Sequence, residues 1–234
     1  MTAFSAITVG SLDARVVPHR WAWAEREGEA IRRHWDAALA RSPAMFDGRI
    51  FMMRDGEGGG DPYRATFFET RFSAYLAWRD LGRTDPSVRN GFSMAALQSS
   101  DGGWILGVMG DHTSNPGHIY FPSGTPDPAD VVDGTVDLAG SVLRELEEET
   151  GLRPSDVTVE PRWHVAACGA RTAFLRPVRV DAPAGEVVRR IEAHLAAEDR
   201  PELSGVRVVR RLADLDPVRM PDFLIHWFRS VLEE

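Results

Sequence analysis

The nine residues Arg144-Glu145-Leu146-Glu147-Glu148-Glu149-Thr150-Gly151-Leu152 decide how the rest of this 234-residue chain is read. Glu145, Glu148 and Glu149 stand three and four positions apart, offsets that share one face of an α-helix. Leu138, Val142 and Leu146 give the same helix an apolar stripe, so it docks on a core and carries its acids near the edge of that contact. Asp137 is the expected N-cap and Gly151 the expected stop, for a helix running through Thr150. Three carboxylates on one face repel each other unless a cation compensates. A hard divalent ion such as Mg²⁺, with Mn²⁺ as the alternative, takes carboxylate oxygens and keeps positions for water and phosphate. Arg144 can neutralise a neighbouring carboxylate through its fork of donors. On composition alone, a solvated acidic helix face is the commoner reading of such a run.

Outward from this helix, the chain divides into two regions. Residues 88–234 alternate strands and helices in the manner of an α/β sandwich. Phe92 to Gln98 and Trp104 to Met109 flank Ser99-Ser100-Asp101-Gly102-Gly103 as a hairpin. A polar loop, Gly110 to Gly117, leads to a short strand, His118 to Phe121, and then to a Pro/Gly/Asp-rich loop from Pro122 to Val136. Beyond the acidic helix come strands at Val157 to Cys168 and Thr172 to Val180. A helix at Glu186 to Ala197 and a strand at Val206 to Arg210 follow, and Pro221 opens a last helix through Leu232. Residues 1–87 form an N-terminal α+β region. It has a helix from Ala22 to Leu39, strands at Gly48 to Arg54 and Tyr63 to Thr70 around a glycine-rich turn at 56–62, and a helix from Phe72 to Leu81.

The formal net charge of −8 excludes non-specific binding of a nucleic-acid backbone, which needs a basic footprint. A phosphate substrate stays open, because bound metal inverts the local charge. There is one cysteine, Cys168, in the small-residue run Ala166 to Ala170; it reads as packing, and an intramolecular disulfide is excluded. The start lacks a signal pattern and no apolar run has membrane-spanning length, so no membrane partner and a cytoplasmic location are expected. No phosphate loop or nucleophile elbow occurs, and the seven histidines show no zinc spacing. His164 and tryptophans 21, 23, 35 and 78 read as core, with base stacking an alternative for one tryptophan.

Residues 144–152 resemble the second half of the Nudix signature, R-E-U-x-E-E-x-G-U with U aliphatic, at every fixed position. Tyr120-Phe121-Pro122-Ser123-Gly124 also looks like the family's F-P-G-G strand end, with Ser123 at the first glycine. The first half departs. The pattern wants glycine and glutamate at positions held here by Asp130 and Val136, and counting from Gly124 the segment to Arg144 carries about six extra residues. Asp133 or Asp137 could partly stand in for the lost acid. Val136 to Leu143, Phe46-Asp47-Gly48 and Phe72-Ser73-Ala74-Tyr75 are similar, more loosely, to the atypical Nudix group of UDP-glucose/UDP-galactose diphosphatases.

This resemblance implies a Nudix α/β/α sandwich with a mixed sheet over 88–234, with the α+β extension of 1–87 packed on it. It implies Mg²⁺-dependent hydrolysis of a diphosphate bond in a small nucleoside diphosphate derivative, in particular a UDP-sugar giving UMP and sugar 1-phosphate. Glu145, Glu148 and Glu149 would be metal ligands, Glu148 and Glu149 would act in catalysis, and Arg144 would partner a box glutamate. Many members add an acid beyond the box; Glu202, ahead of Glu198, is the candidate. Ser123, Gly124 and Asn115 are the candidate substrate contacts. The rival reading is a non-catalytic Nudix-like module that binds a nucleotide or a partner. An isoprenoid-diphosphate isomerase would need a catalytic cysteine, for which Cys168 is poorly set. Oligomeric state has no readable signal.

Overall fold

Two mixed sheets share one apolar layer in the computed structural model, which describes residues 4–43, 45–57 and 60–232. In chain order the elements begin with strands β1 (Phe4–Val9) and β2 (Leu12–Val16), helices α1 (Ala22–Arg26) and α2 (Gly28–Arg41), strands β3 (Arg49–Glu57) and β4 (Tyr63–Arg71), and helix α3 (Phe72–Asp80). There follow β5 (Asn90–Ser99), β6 (Trp104–Met109), β7 (Ile119–Tyr120), β8 (Ser123–Gly124), β9 (Val131–Val132), β10 (Thr135–Val136) and α4 (Leu138–Thr150). The chain ends with β11 (Thr158–Val159), β12 (Trp163–Cys168), β13 (Arg171–Val180), α5 (Ala184–Ala197), β14 (Leu203–Val209) and α6 (Asp222–Leu232).

The larger sheet runs β1-β12-β13-β5-β6-β14, with β13 parallel to β5 and the other pairs antiparallel. β5 is buried along nearly its whole length, as a central strand covered on both faces must be. One face packs against α4 and α5 through Val142, Leu146, Val187 and Ile191. The other packs against α6, whose Phe223, Trp227 and Phe228 meet Phe121 and Leu175. The result is the expected α/β/α sandwich with a mixed sheet. No helix among the described residues is long and apolar enough to cross a membrane.

The smaller sheet runs β3-β4-β2-β10-β9 and adds Ala14, Tyr63, Ala65 and Phe67 to the core beneath α4. Behind it, Trp21, Trp23, Phe68 and Trp78 form a separate cluster with α3. The boundary expected at 87/88 is crossed in both directions. β1 extends the large sheet beside β12, and β9 and β10 extend the small sheet beside β2.

Several local expectations change. β1 and β2 fall where no element was expected, since their ladders are supplied by strands far along the chain. The single helix expected from Ala22 is two, parted at Glu27 just before Gly28, a residue of poor helix propensity. The strand expected at Val157 to Cys168 is interrupted around Pro161, which cannot donate to a ladder. The segment from Pro122 to Val136 holds three short strands and a 3₁₀ turn rather than plain loop. Residues 58 and 59 of the expected glycine-rich turn lie outside the described residues.

α4 follows its sequence signals closely. Asp137 Oδ1 accepts the Gly140 N–H at 2.9 Å. Gly151 takes φ 70°, a left-handed stop that suits glycine, and its N–H reaches the Glu147 carbonyl at 2.8 Å. The buried face reads Leu138, Val142, Leu146 and Glu149, so the last turn carries an acid into the core edge.

Candidate active site

Glu145, on the acidic face of α4, stands at one end of a cleft of about 1370 Å³ lined also by residues of β8, the loop after β6 and α3. Glu145 lines it together with Glu202, Ser123 and Gly124. Each candidate acid has a different environment. The Glu149 side chain is buried; its Oε1 accepts the Ser123 N–H at 3.1 Å, while Oε2 is buried with no hydrogen-bond partner. Glu145 is 13% exposed and pairs through Oε1 with Arg144 at 2.9 Å. Glu148 is 60% exposed and accepts from Arg144 at 3.1 Å.

Burial dominates the protonation of this cluster. It pushes Glu145 up to about 7, with Arg144 opposing and Glu148, Glu202 and Asp130 adding repulsion. It holds Glu149 well above the ordinary carboxylate range, against the Ser123 N–H and with Glu202 and Glu145 reinforcing. Glu202 is also raised by burial and by Glu148, with His112 pulling the other way. Glu202 therefore joins the box acids, although it lies about fifty residues downstream of them.

Arg144 organises this end of the cleft. Its Nη2 donates to both oxygens of Asp130, at 2.9 and 3.1 Å, while Nη1 serves Glu145 and Glu148. Burial lowers its pKa, but the Asp130 hydrogen bond and the surrounding acids outweigh that, so it stays charged. Asp130 is 4% exposed and also accepts the Asp127 N–H at 3.0 Å. The residue standing where the family pattern wants glycine is thus the principal partner of the box arginine. Sequence spacing gave no signal for it. Of the two acids expected to stand in for the missing glutamate, Asp137 caps α4 and Asp133 occupies an exposed turn at φ 49°. Val136 is buried in the shared core.

The donor set suits a hard divalent cation. A buried carboxylate oxygen without a partner, near the half-buried Glu145 and near Glu202, both of raised pKa, is what such an ion would satisfy. Among the described residues, no three acidic, His or Cys side chains close on a single point. Two carboxylates completed by water and phosphate oxygens match the habit of Mg²⁺.

Ser123 and Gly124 sit directly over α4, because β8 pairs with Ser93 and Met94 of β5. A Cβ on Gly124 would come within 2.0 Å of Glu145 Oε1, so only glycine lets this backbone and the acid approach so closely. Asn115 lines the same cleft, accepting from Arg79 at 3.2 Å and donating to the Tyr120 hydroxyl at 3.4 Å. Among the described residues no tryptophan lines the cleft; its aromatic lining includes Phe72, Tyr75 and Phe92. His164 lies elsewhere, against Thr8 and Trp227, and Cys168 is buried beside Asp222.

No family model matches the chain, and no curated protein matches it. Solved structures are similar to it, these three among them. One is a Nudix hydrolase from M. smegmatis, RenU, with 18% identity and a TM-score of 0.40 over 61% of this chain and 85% of that one. Another is a C. elegans Ap4A hydrolase binary complex, with 14% identity and a TM-score of 0.38 over 61% and 98%. A third is a MutT protein from Methanosarcina mazei Go1, with 14% identity and a TM-score of 0.35 over 61% and 91%. At scores below 0.5 these likenesses decide neither fold nor activity.

Proposed function

We propose that the cleft hydrolyses the diphosphate bond of a nucleoside diphosphate derivative with the help of a divalent cation, Mg²⁺ or Mn²⁺, and that a UDP-sugar is the substrate. The observation that carries this reading is the unpartnered Glu149 Oε2, buried beside Glu145 and Glu202 at the foot of a large cleft. A carboxylate oxygen buried in this way is costly unless a cation joins it.

Glu145 and Glu149 would hold the ion, with Glu148 at the solvent side. When bound, it would supply positive charge to the diphosphate and make a water more acidic. The Ser123 N–H fixes the Glu149 carboxylate, and Arg144, anchored on Asp130, fixes Glu145 and Glu148. Glu202 would accept the proton of the attacking water at its carboxylate, a task its raised pKa favours. Water adds to one phosphorus, the bridging P–O bond breaks, and a UDP-sugar yields UMP and sugar 1-phosphate. The cleft volume fits a ligand of that size.

A second reading, a nucleotide- or partner-binding module without turnover, draws on Val136, which is buried where the signature has a glutamate. Incubation with Mg²⁺ and UDP-sugars, ADP-ribose, NADH, dinucleoside polyphosphates and nucleoside triphosphates separates the two. Release of UMP and sugar 1-phosphate, followed by phosphorus NMR, is the expected outcome. Binding without cleavage across the panel would establish the module instead.

A further inference from the structure

The wall of the cleft formed by α3 and its C-terminal turn carries the opposite charge from the glutamate end. Arg79 and Arg83 belong to it, and Arg171, the first residue of β13, lines the cleft with them. Arg79 is tied to Asp80 at 2.7 Å and to Asn115 at 3.2 Å, and its guanidinium lies 6.0 Å from the Tyr75 ring centre. Arg171 is tied to Asp222 and lies 5.6 Å from the Phe223 ring centre. Among the described residues no carboxylate pairs with Arg83. Two of the three cations are balanced by an aspartate, so the group keeps one net positive charge. Burial, and then the neighbouring Arg171, weaken the proton hold of Arg83, with Tyr75 and Asp222 acting the other way.

The backbone gives an independent sign. Arg83 sits at φ 54°, directly after Gly82 at φ 91°. Non-glycine residues are uncommon there, and an arginine is kept at such a position at a cost in strain. Glycine would serve the turn better, and would lose the guanidinium that the turn presents to the cleft.

We propose that Arg79, Arg83 and Arg171 form an oxyanion subsite, separate from the glutamate end, which binds a phosphate or carboxylate group of the cleft's ligand. The two tethered arginines are pre-positioned, and Arg83 supplies the charge left to be neutralised. This deepens the hydrolase reading and rests on it only for the identity of the natural ligand. A substrate bearing a further anionic group beyond the cleaved diphosphate would span both ends.

The test is calorimetric titration of the full chain in EDTA, which keeps divalent ions away from the glutamates. Inorganic pyrophosphate probes the phosphate source and malonate the carboxylate source. Binding of at least one probe is expected, weakened on the order of tenfold in R83G and partly restored in R83K. Because glycine suits the local φ, R83G should keep the wild-type melting temperature. E149Q should retain the binding while losing turnover, so the subsite and the hydrolysis can fail separately. Wild-type protein that binds neither probe in EDTA, or R83G that binds as tightly as wild type, overturns the subsite.

Discussion

One nitrogen of Arg144 donates to both carboxylate oxygens of the buried Asp130, at 2.9 and 3.1 Å, while its other terminal nitrogen reaches Glu145 and Glu148. Asp130 thereby sets the position of the arginine that positions the acids. In D130N the anchor loses its charge, and the guanidinium is drawn further onto the glutamates. The variant should lose about 2 kcal/mol of stability by urea denaturation. Divalent-ion affinity should fall roughly 10–100-fold by calorimetry. Unchanged ion affinity would show that Arg144 needs no anchor.

Glu149→Gln separates fold from chemistry. The side chain is buried and one oxygen is unpartnered, so removing its charge relieves a burial cost rather than breaking a contact. The melting temperature should hold or rise slightly, while turnover on the substrate panel falls by roughly 10²–10⁴-fold. Retained turnover would remove Glu149 from the proposed ion site.

Gly124→Ala probes the closeness of β8 and α4. The new methyl would meet the Glu145 carboxylate, the mobile end of a side chain, at 2.0 Å. The fold can yield there by turning that side chain away. Stability should change by less than about 1 kcal/mol, and kcat/KM should fall on the order of 10²-fold through the displaced acid. A normal rate in G124A would mean that Glu145 has no fixed role.

Asp101 gives a pH dependence remote from the cleft. It accepts from Ser99 at 2.6 Å, from the Ala184 N–H at 3.0 Å and from Arg210 at 2.8 Å, joining the β5–β6 hairpin to α5 and to the end of β14. The Ser99 hydroxyl, and then Arg210, hold its carboxyl far below the ordinary aspartate value. An acid depressed in the folded state stabilises at pH values above its unfolded pKa, and that contribution is lost as pH falls toward the folded value. Wild type should therefore exceed D101N in stability at neutral pH, with the gap narrowing below about pH 4. Urea denaturation at pH 7 and pH 3 reads the difference; a gap independent of pH would refute the assignment.

What the sequence by itself determined was local. α4, its Asp137 cap, its Gly151 stop and its apolar stripe all follow from signals within a few residues of one another, where backbone geometry fixes which side chains share a face. The three glutamates and Arg144 could be read for the same reason. The tertiary structure decided everything that depends on distant segments meeting. Asp130 became the partner of Arg144 because the 3₁₀ turn after Asp127 folds back on α4. Glu202 joined the box acids because β14 pairs with β6 and its preceding turn bonds Gly110. β1, β2, β9 and β10 exist as strands only because their hydrogen-bonding partners come from elsewhere in the chain. The arginine wall faces the glutamate end because the N-terminal region packs across the cleft, an arrangement set by shared apolar surface rather than by any spacing along the chain.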